Sequence, residues 1–125
     1  MEPASQSTPK PIFTHEGGAI ALARIQQANG QYKLRPVLVL RAMPPHGDWL
    51  VCGISSQLQQ EVVGFDHVLA VSDPEFAASG LKASSVIRLG FLATLPNSAF
   101  AGRLGAITPR LILLLRHRLA THLDQ

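Results

Sequence analysis

The chain has 125 residues, a length that suits one domain with a sizeable apolar core. It is 46% hydrophobic and 15% charged, a composition that excludes an intrinsically disordered chain. Eleven Lys and Arg residues against eight Asp and Glu residues give a net charge of +3, which mildly favours polyanionic partners such as nucleic acid.

Cysteine and histidine usage excludes several kinds of site. The single cysteine, Cys52, can form neither an internal disulfide nor a cysteine-based zinc cluster, and its apolar neighbours predict a buried structural thiol. The histidines lack the helical spacing that binds metals, so we predict no metal and no cofactor. No segment has the length of a membrane span and the N-terminus has no signal-peptide core, so we expect a cytoplasmic protein.

The first half of the chain is organised around one strand. Residues 1–11 contain three prolines and little to bury, which predicts a disordered tail before a single domain over residues 12–125. Residues 18–25 predict a strand, and a polar turn follows it. A central strand comes next, with Pro36 as its first residue and residues 37–40 buried on both faces.

A hairpin follows the central strand. A loop of prolines and a glycine leads to residues 48–54, which are largely apolar after Asp48, and this predicts an antiparallel partner. If Arg41 pairs near the start of that partner, Arg35 lies opposite Ile54 or Ser55. A guanidinium held at the end of a rigid strand is suited to bind an anion or to take part in catalysis.

The remaining elements are shorter. Residues 66–71 predict a strand, and Pro74 with Gly80 indicates a short helix. Residues 84–89 and 91–95 predict two further strands separated by a glycine.

The last element is a helix. Thr108 is its predicted N-cap, Pro109 its first residue, and it continues to Leu123. One apolar stripe is predicted, formed by the leucines at 111, 114, 115 and 119.

Several segments, taken in order, resemble the MazF/PemK family of toxin endoribonucleases from type II toxin–antitoxin systems. Together they extend from residue 18 to residue 119. They are GAIAL at 18–22, YKLRPVLVL at 32–40, DWLVCGISSQ at 48–57, GLKASSVIRL at 80–89, LATL at 92–95, GRLG at 102–105, and TP at 108–109 opening the last helix.

The resemblance implies a mainly β (α+β) fold, a small SH3-like β-barrel of the MazF/CcdB type with a C-terminal α-helix, assembled as a homodimer. It implies cleavage of single-stranded RNA without a metal, the RNA 2′-OH acting as nucleophile, and neutralisation by an antitoxin protein. The family's catalytic arginine and threonine correspond to Arg35 and Ser55. The candidate substrate-binding residues around them are Lys33, Ser56, Gln57 and Lys82.

Three positions depart from the family pattern. Ala19 and Gly90 stand where acidic residues are common, and Ser55 replaces a threonine. The departures leave open a catalytically degenerate MazF-like binding module for nucleic acid or protein. A CcdB-like gyrase poison is a second alternative. Arg35 would have a purely structural role if it paired with an acid such as Asp48.

Overall fold

The computed structural model describes residues 12–125, so the tail predicted for residues 1–11 lies outside the described part. Within that part, the chain forms six strands, two α-helices and two single turns of 3₁₀ helix. The strands are β1 Ala19–Gln26, β2 Tyr32–Met43, β3 Asp48–Ser55, β4 His67–Leu69, β5 Ser85–Leu95 and β6 Phe100–Ala106. The helices are α1 Phe76–Ser79 and α2 Pro109–Leu123, and the 3₁₀ turns are Leu58–Gln60 and Asn97–Ala99.

The six strands make one antiparallel sheet in the order β4-β5-β3-β2-β1-β6. A mainly β domain with a C-terminal helix confirms the predicted fold class. The edge strands β4 and β6 do not pair with each other, so the sheet is open. The fold is therefore a barrel only in a loose sense.

Strand β2 is the centre of the sheet and is buried on both faces, as predicted. Its residues 37–40 are each 1% exposed or less and alternate between two apolar clusters, one on each face. The predicted start at Pro36 is wrong, because the strand begins at Tyr32 and Pro36 pairs with Leu22 of β1. Pairing with β3 starts only at Val37, so the stretch before it is an edge and tolerates a residue without an N–H.

The predicted hairpin of β2 and β3 is present, with a bulge near its turn. Arg41 lies opposite Leu50, and the register shifts before Val39 pairs with Val51. The predicted pairing of Arg41 near residue 48 or 49 is therefore off by one or two residues. Beyond the bulge the pairing is regular as far as Val37 and Gly53.

Helix α2 covers one face of the sheet. Thr108 caps it by accepting a hydrogen bond from the backbone N–H of Leu111 at 3.2 Å, and Pro109 is its first residue, both as predicted. The buried stripe consists of Leu111, Ile112, Leu115 and Leu119. The stripe prediction is wrong at Leu114, which is 49% exposed, since Ile112 occupies the buried arc instead.

Phe13 covers part of the opposite face. Its ring makes edge-to-face contacts with Trp49 at 5.1 Å and with Phe100 at 5.0 Å between centroids. Trp49 is buried and donates its indole N–H to Oδ1 of Asn97 at 2.7 Å.

The shorter elements differ more from prediction. Strand β4 spans three residues and not six, and α1 begins after Pro74 because Asp73 accepts the N–H of Glu75 at 2.8 Å and forms a turn first. Gly80 ends α1 with φ 74°, as predicted. Residues 85–95 form one strand where two were predicted, and β6 was not predicted at all.

Candidate functional site

The candidate site lies at the end of the sheet where β2 begins and β3 ends. The last paired residues of these two strands are Val37 and Gly53. Continuing this register by two residues brings Arg35 across from Ser55, one of the two positions that the sequence predicted. Ser55 is itself paired on its other side with Val86 of β5.

Lys33, Arg35 and Ser55 share one face of the sheet. In β2, the side chains of Lys33 and Arg35 leave the same face of the sheet as that of Val37. Val37 belongs to the apolar cluster that Phe13 covers. In β3, the Ser55 side chain leaves the same face as Val51, which belongs to the same cluster. The polar end of this face therefore continues directly from a rigid apolar core.

Arg35 is exposed, and its guanidinium has a neutral partner. Its Nη2 donates to Oε1 of Gln27 at 3.1 Å, across the β1–β2 turn. Of the six strands in residues 12–125, only β3 contains an acid, Asp48, and it lies at the far end opposite Met43. The proposed pairing of Arg35 with Asp48 is therefore not formed, and the guanidinium faces solvent.

Ser55 belongs to a tight turn at the end of β3. Its Oγ accepts the backbone N–H of Gln57 at 3.0 Å, which leaves the hydroxyl hydrogen available to donate. Ser56 and Gln57 are exposed in this turn, and Oε1 of Gln57 accepts from Nε2 of Gln59 at 2.7 Å. The three residues 55–57 thus form one ordered, polar edge of the site.

The sequence analysis missed a third cation on this face, beside Lys33 and Arg35. Arg88 of β5 pairs with Gly53, two residues from the Ser55–Val86 pair, so its side chain leaves the same face as Ser55. Its guanidinium carbon lies 4.8 Å above the centre of the Phe91 ring. The available signal was a charged residue inside the apolar run at 86–89. A charged side chain in an apolar strand must reach solvent or a partner, so it indicates a polar site nearby.

Comparisons with known proteins identify the family and the fold of this chain. Residues 16–123 match the family model of the PemK-like, MazF-like toxin of type II toxin-antitoxin systems. The chain belongs to this toxin family. The structure is also similar to the Mycobacterium tuberculosis toxin MazF-mt6, with a TM-score of 0.63 and 19% identity over 85% of this chain and 96% of that one. At this identity the likeness concerns the fold. No curated protein matches the sequence.

Membership of the PemK-like family supports a toxin of the endoribonuclease class. Beside Arg35, this MazF-like chain has a shallow pocket of about 290 Å³. It is lined by Gln27, Asn29, Gln31, Tyr32 and Lys33. Lys82 is exposed outside the sheet, in the connection between α1 and β5. Of the two predicted lysines, Lys33 therefore adjoins a pocket next to Arg35.

Other chemistries have little support in this PemK-like domain. Burial raises the pKa of the Cys52 thiol to about 12, with the Asp66 carboxylate adding to the effect, so Cys52 is no nucleophile at neutral pH. Within residues 12–125, no three His, Cys, Asp or Glu side chains are grouped in a way that could hold a metal ion. The helices of this part are also too short or too polar to cross a membrane.

Proposed function

We propose that this chain is a metal-independent endoribonuclease that cleaves single-stranded RNA through the RNA's own 2′-OH. The observation that supports it is the shared face of Arg35 and Ser55 at one end of the sheet, with Lys33 and Arg88 beside them. A face that combines arginines and a hydroxyl with no strand acid nearby is suited to a phosphodiester.

Each residue has a role that its environment supports. Arg35 donates to the phosphate oxygens and stabilises the negative charge that grows on them in the transition state. The Ser55 Oγ accepts the N–H of Gln57, so its own hydrogen points away from that bond and donates to the same phosphate. Arg88 and Lys33 bind the phosphates on either side.

The variant Arg35→Ala tests the assignment. Loss of a preorganised charge-stabilising donor lowers a rate by about 10²–10³-fold, and we expect that loss in the initial rate of cleavage of a diverse RNA pool. Arg24→Ala is the matched control, because Arg24 is also exposed but leaves the opposite face of the neighbouring strand. Undiminished cleavage by a folded Arg35→Ala protein would show that the site is elsewhere.

Ser55 gives a graded test of the hydroxyl. We expect Ser55→Ala to lower the rate less than Arg35→Ala, because a neutral donor stabilises charge less than a guanidinium. Ser55→Thr keeps the hydroxyl and should retain most of the activity. If the Ser55→Thr protein cleaves RNA as slowly as Ser55→Ala, the hydroxyl does not contribute to the cleavage rate.

A non-catalytic RNA-binding module is the second candidate. It is favoured by the lack of an acid in the strand ends that form the site, and by Ala19 and Gly90, which replace acidic residues of the family pattern. Such a module would bind RNA in a salt-dependent manner without shortening it. The same pool, assayed for both binding and cleavage, separates the two candidates.

The partners belong to the same proposal. We expect an antitoxin protein that inhibits the toxin and a homodimer as the assembled form. Sedimentation at micromolar concentration tests the dimer, and a stable monomer would contradict it.

A further inference from the structure

Strand β5 contains an unusual interruption beside Arg88. Cys52 of β3 pairs with Leu92, whereas the next residue, Gly53, pairs with Arg88. The three residues between, at 89–91, have no partner in β3. A bulge of this size leaves backbone N–H groups without their ladder partners, and a buried N–H needs another acceptor.

Asp66 supplies that acceptor. Its side chain is 6% exposed, and Oδ1 accepts the backbone N–H of Leu89 at 3.0 Å. Oδ2 accepts the N–H of Val62 at 2.9 Å, so both carboxylate oxygens join the 62–66 turn to the bulge. Charge-assisted bonds of this kind are among the stronger hydrogen bonds.

Helix α2 fixes Asp66 from the other side. Nη1 of Arg118 donates to the backbone oxygens of Phe65 at 3.0 Å and of Asp66 at 3.1 Å. The Asp66 backbone is therefore held against the helix while its carboxylate holds the strand. This leaves the carboxylate little freedom to follow the bulge if the bulge moves.

The bulge determines the positions of Phe91 and Arg88. It turns Phe91 back so that its ring fills the space above Gly53, where an added Cβ would lie 2.8 Å from Cδ2 of Phe91. The same ring supports the guanidinium of Arg88. We propose that Asp66 is a positioning residue, which holds the bulge at 89–91 and through it fixes Arg88 on the RNA-binding face. This inference rests on the proposed nuclease function.

A double-mutant cycle tests whether Asp66 acts through Arg88. Asp66→Asn keeps the shape but replaces one accepting oxygen by an NH₂ group that cannot accept. Because a misplacement of about 1 Å at a site can lower a rate about 10²-fold, we expect kcat/KM for an oligonucleotide cut from the pool to fall about tenfold or more. In an Arg88→Ala background the same change should have almost no further effect on kcat/KM, although it still lowers Tm.

Asp73→Asn is the control, since the Asp73 carboxylate likewise accepts a backbone N–H, that of Glu75, but makes no bond to the bulge. It should leave kcat/KM unchanged. If Asp66→Asn lowers kcat/KM equally in both backgrounds, its effect does not pass through Arg88 and the proposal is overturned.

Amide hydrogen exchange gives a readout that needs no nuclease activity. In the unmodified protein the Leu89 amide should be protected, while Asp66→Asn should speed its exchange and shift the Arg88 and Phe91 side-chain resonances. An unprotected Leu89 amide in the unmodified protein would overturn the Asp66 assignment even if Asp66→Asn fails to fold. If RNA is not cleaved at all but Leu89 behaves as expected, the nuclease function fails while the anchoring of the bulge by Asp66 stands.

Discussion

Folding disfavours the protonated form of the His67 imidazole. The residue is half-buried in β4, and Nε2 has no hydrogen-bond partner among the described residues. Burial lowers the pKa of His67 below its usual value of 6.5, and the nearby Arg118 guanidinium lowers it further, against the opposing charges of Asp73, Glu75 and Glu61. The folded environment therefore favours the neutral form of the imidazole more than the unfolded chain does.

This arrangement predicts a pH-dependent stability. Since the unfolded chain binds the His67 proton more tightly than the folded one, the contribution of this residue is present above pH 6.5 and is lost as the pH falls through the lower folded pKa. Urea unfolding at several pH values should show a smaller loss of unfolding free energy on acidification in His67→Gln. Identical pH profiles for the two proteins would contradict the assignment.

Residue identities predicted part of the site but not all of it. The Pro36 ring and the apolar run after it indicated an extended backbone at Arg35, but they misplaced the start of the strand, which lies at Tyr32. The contact of Arg35 with Gln27 depends on a turn geometry that residue types alone do not specify. Arg88 was missed because its position depends on a bulge three residues long, and bulges leave little periodic signal.

At the scale of elements, the N-terminus of α2 is bound to the start of α1. Thr108 caps the helix, and its own N–H and hydroxyl donate to the two carboxylate oxygens of Glu75, each at 2.7 Å. Glu75 is the N-cap residue of α1, so one carboxylate joins the starts of both helices. The cap therefore stabilises the position of α2 as well as its first turn.

Thr108→Ala should lower the unfolding free energy by about 1–2 kcal/mol, because the cap and its bond to Glu75 are both lost. Thr108→Ser keeps the hydroxyl and should lose much less. Thr121→Ala, a change at an exposed position near the other end of the same helix, is the control and should have little effect. If chemical denaturation shows the same loss of unfolding free energy for Thr108→Ala and Thr121→Ala, the cap does not stabilise the protein.

Elements with a strong local sequence pattern were predicted accurately, whereas those that depend on a partner strand were not. Helix α2 has a cap, a proline at N1 and a run of leucines, and its bounds were predicted within a residue. Strand β6 has two glycines and no alternation, and it forms because β1 offers a partner. Gly105 is required there for a tertiary reason, since an added Cβ would lie 2.2 Å from the backbone oxygen of Ala78.

At the scale of the whole molecule, we predict that only part of the chain before β1 is needed for folding. Residues 1–11 contain little apolar surface to bury. Phe13, by contrast, is 9% exposed and closes the apolar cluster around Trp49. The boundary between dispensable and required sequence is therefore predicted to lie between residues 11 and 13, in agreement with the division after residue 11 that composition predicts.

Two truncations test that boundary. Removing residues 1–11 should leave Tm nearly unchanged, whereas removing residues 1–13 should lower the unfolding free energy by about 3–5 kcal/mol, the typical loss for a buried phenylalanine. Phe13→Ala in the full chain should reproduce most of that loss. A large drop in Tm for the shorter truncation would mean that the first eleven residues pack on the domain.

The most direct test of the account compares two oligonucleotides that differ by one oxygen. An RNA containing a mapped cut site and the same RNA with a 2′-deoxy nucleotide at the cut are incubated with the protein in excess EDTA. Because the proposed nucleophile is the 2′-OH and arginine stabilises the charge, we expect the first RNA to be cleaved to a cyclic phosphate and a 5′-OH and the second to stay intact. Cleavage of the deoxy substrate, or loss of all activity in EDTA, would contradict the proposed mechanism.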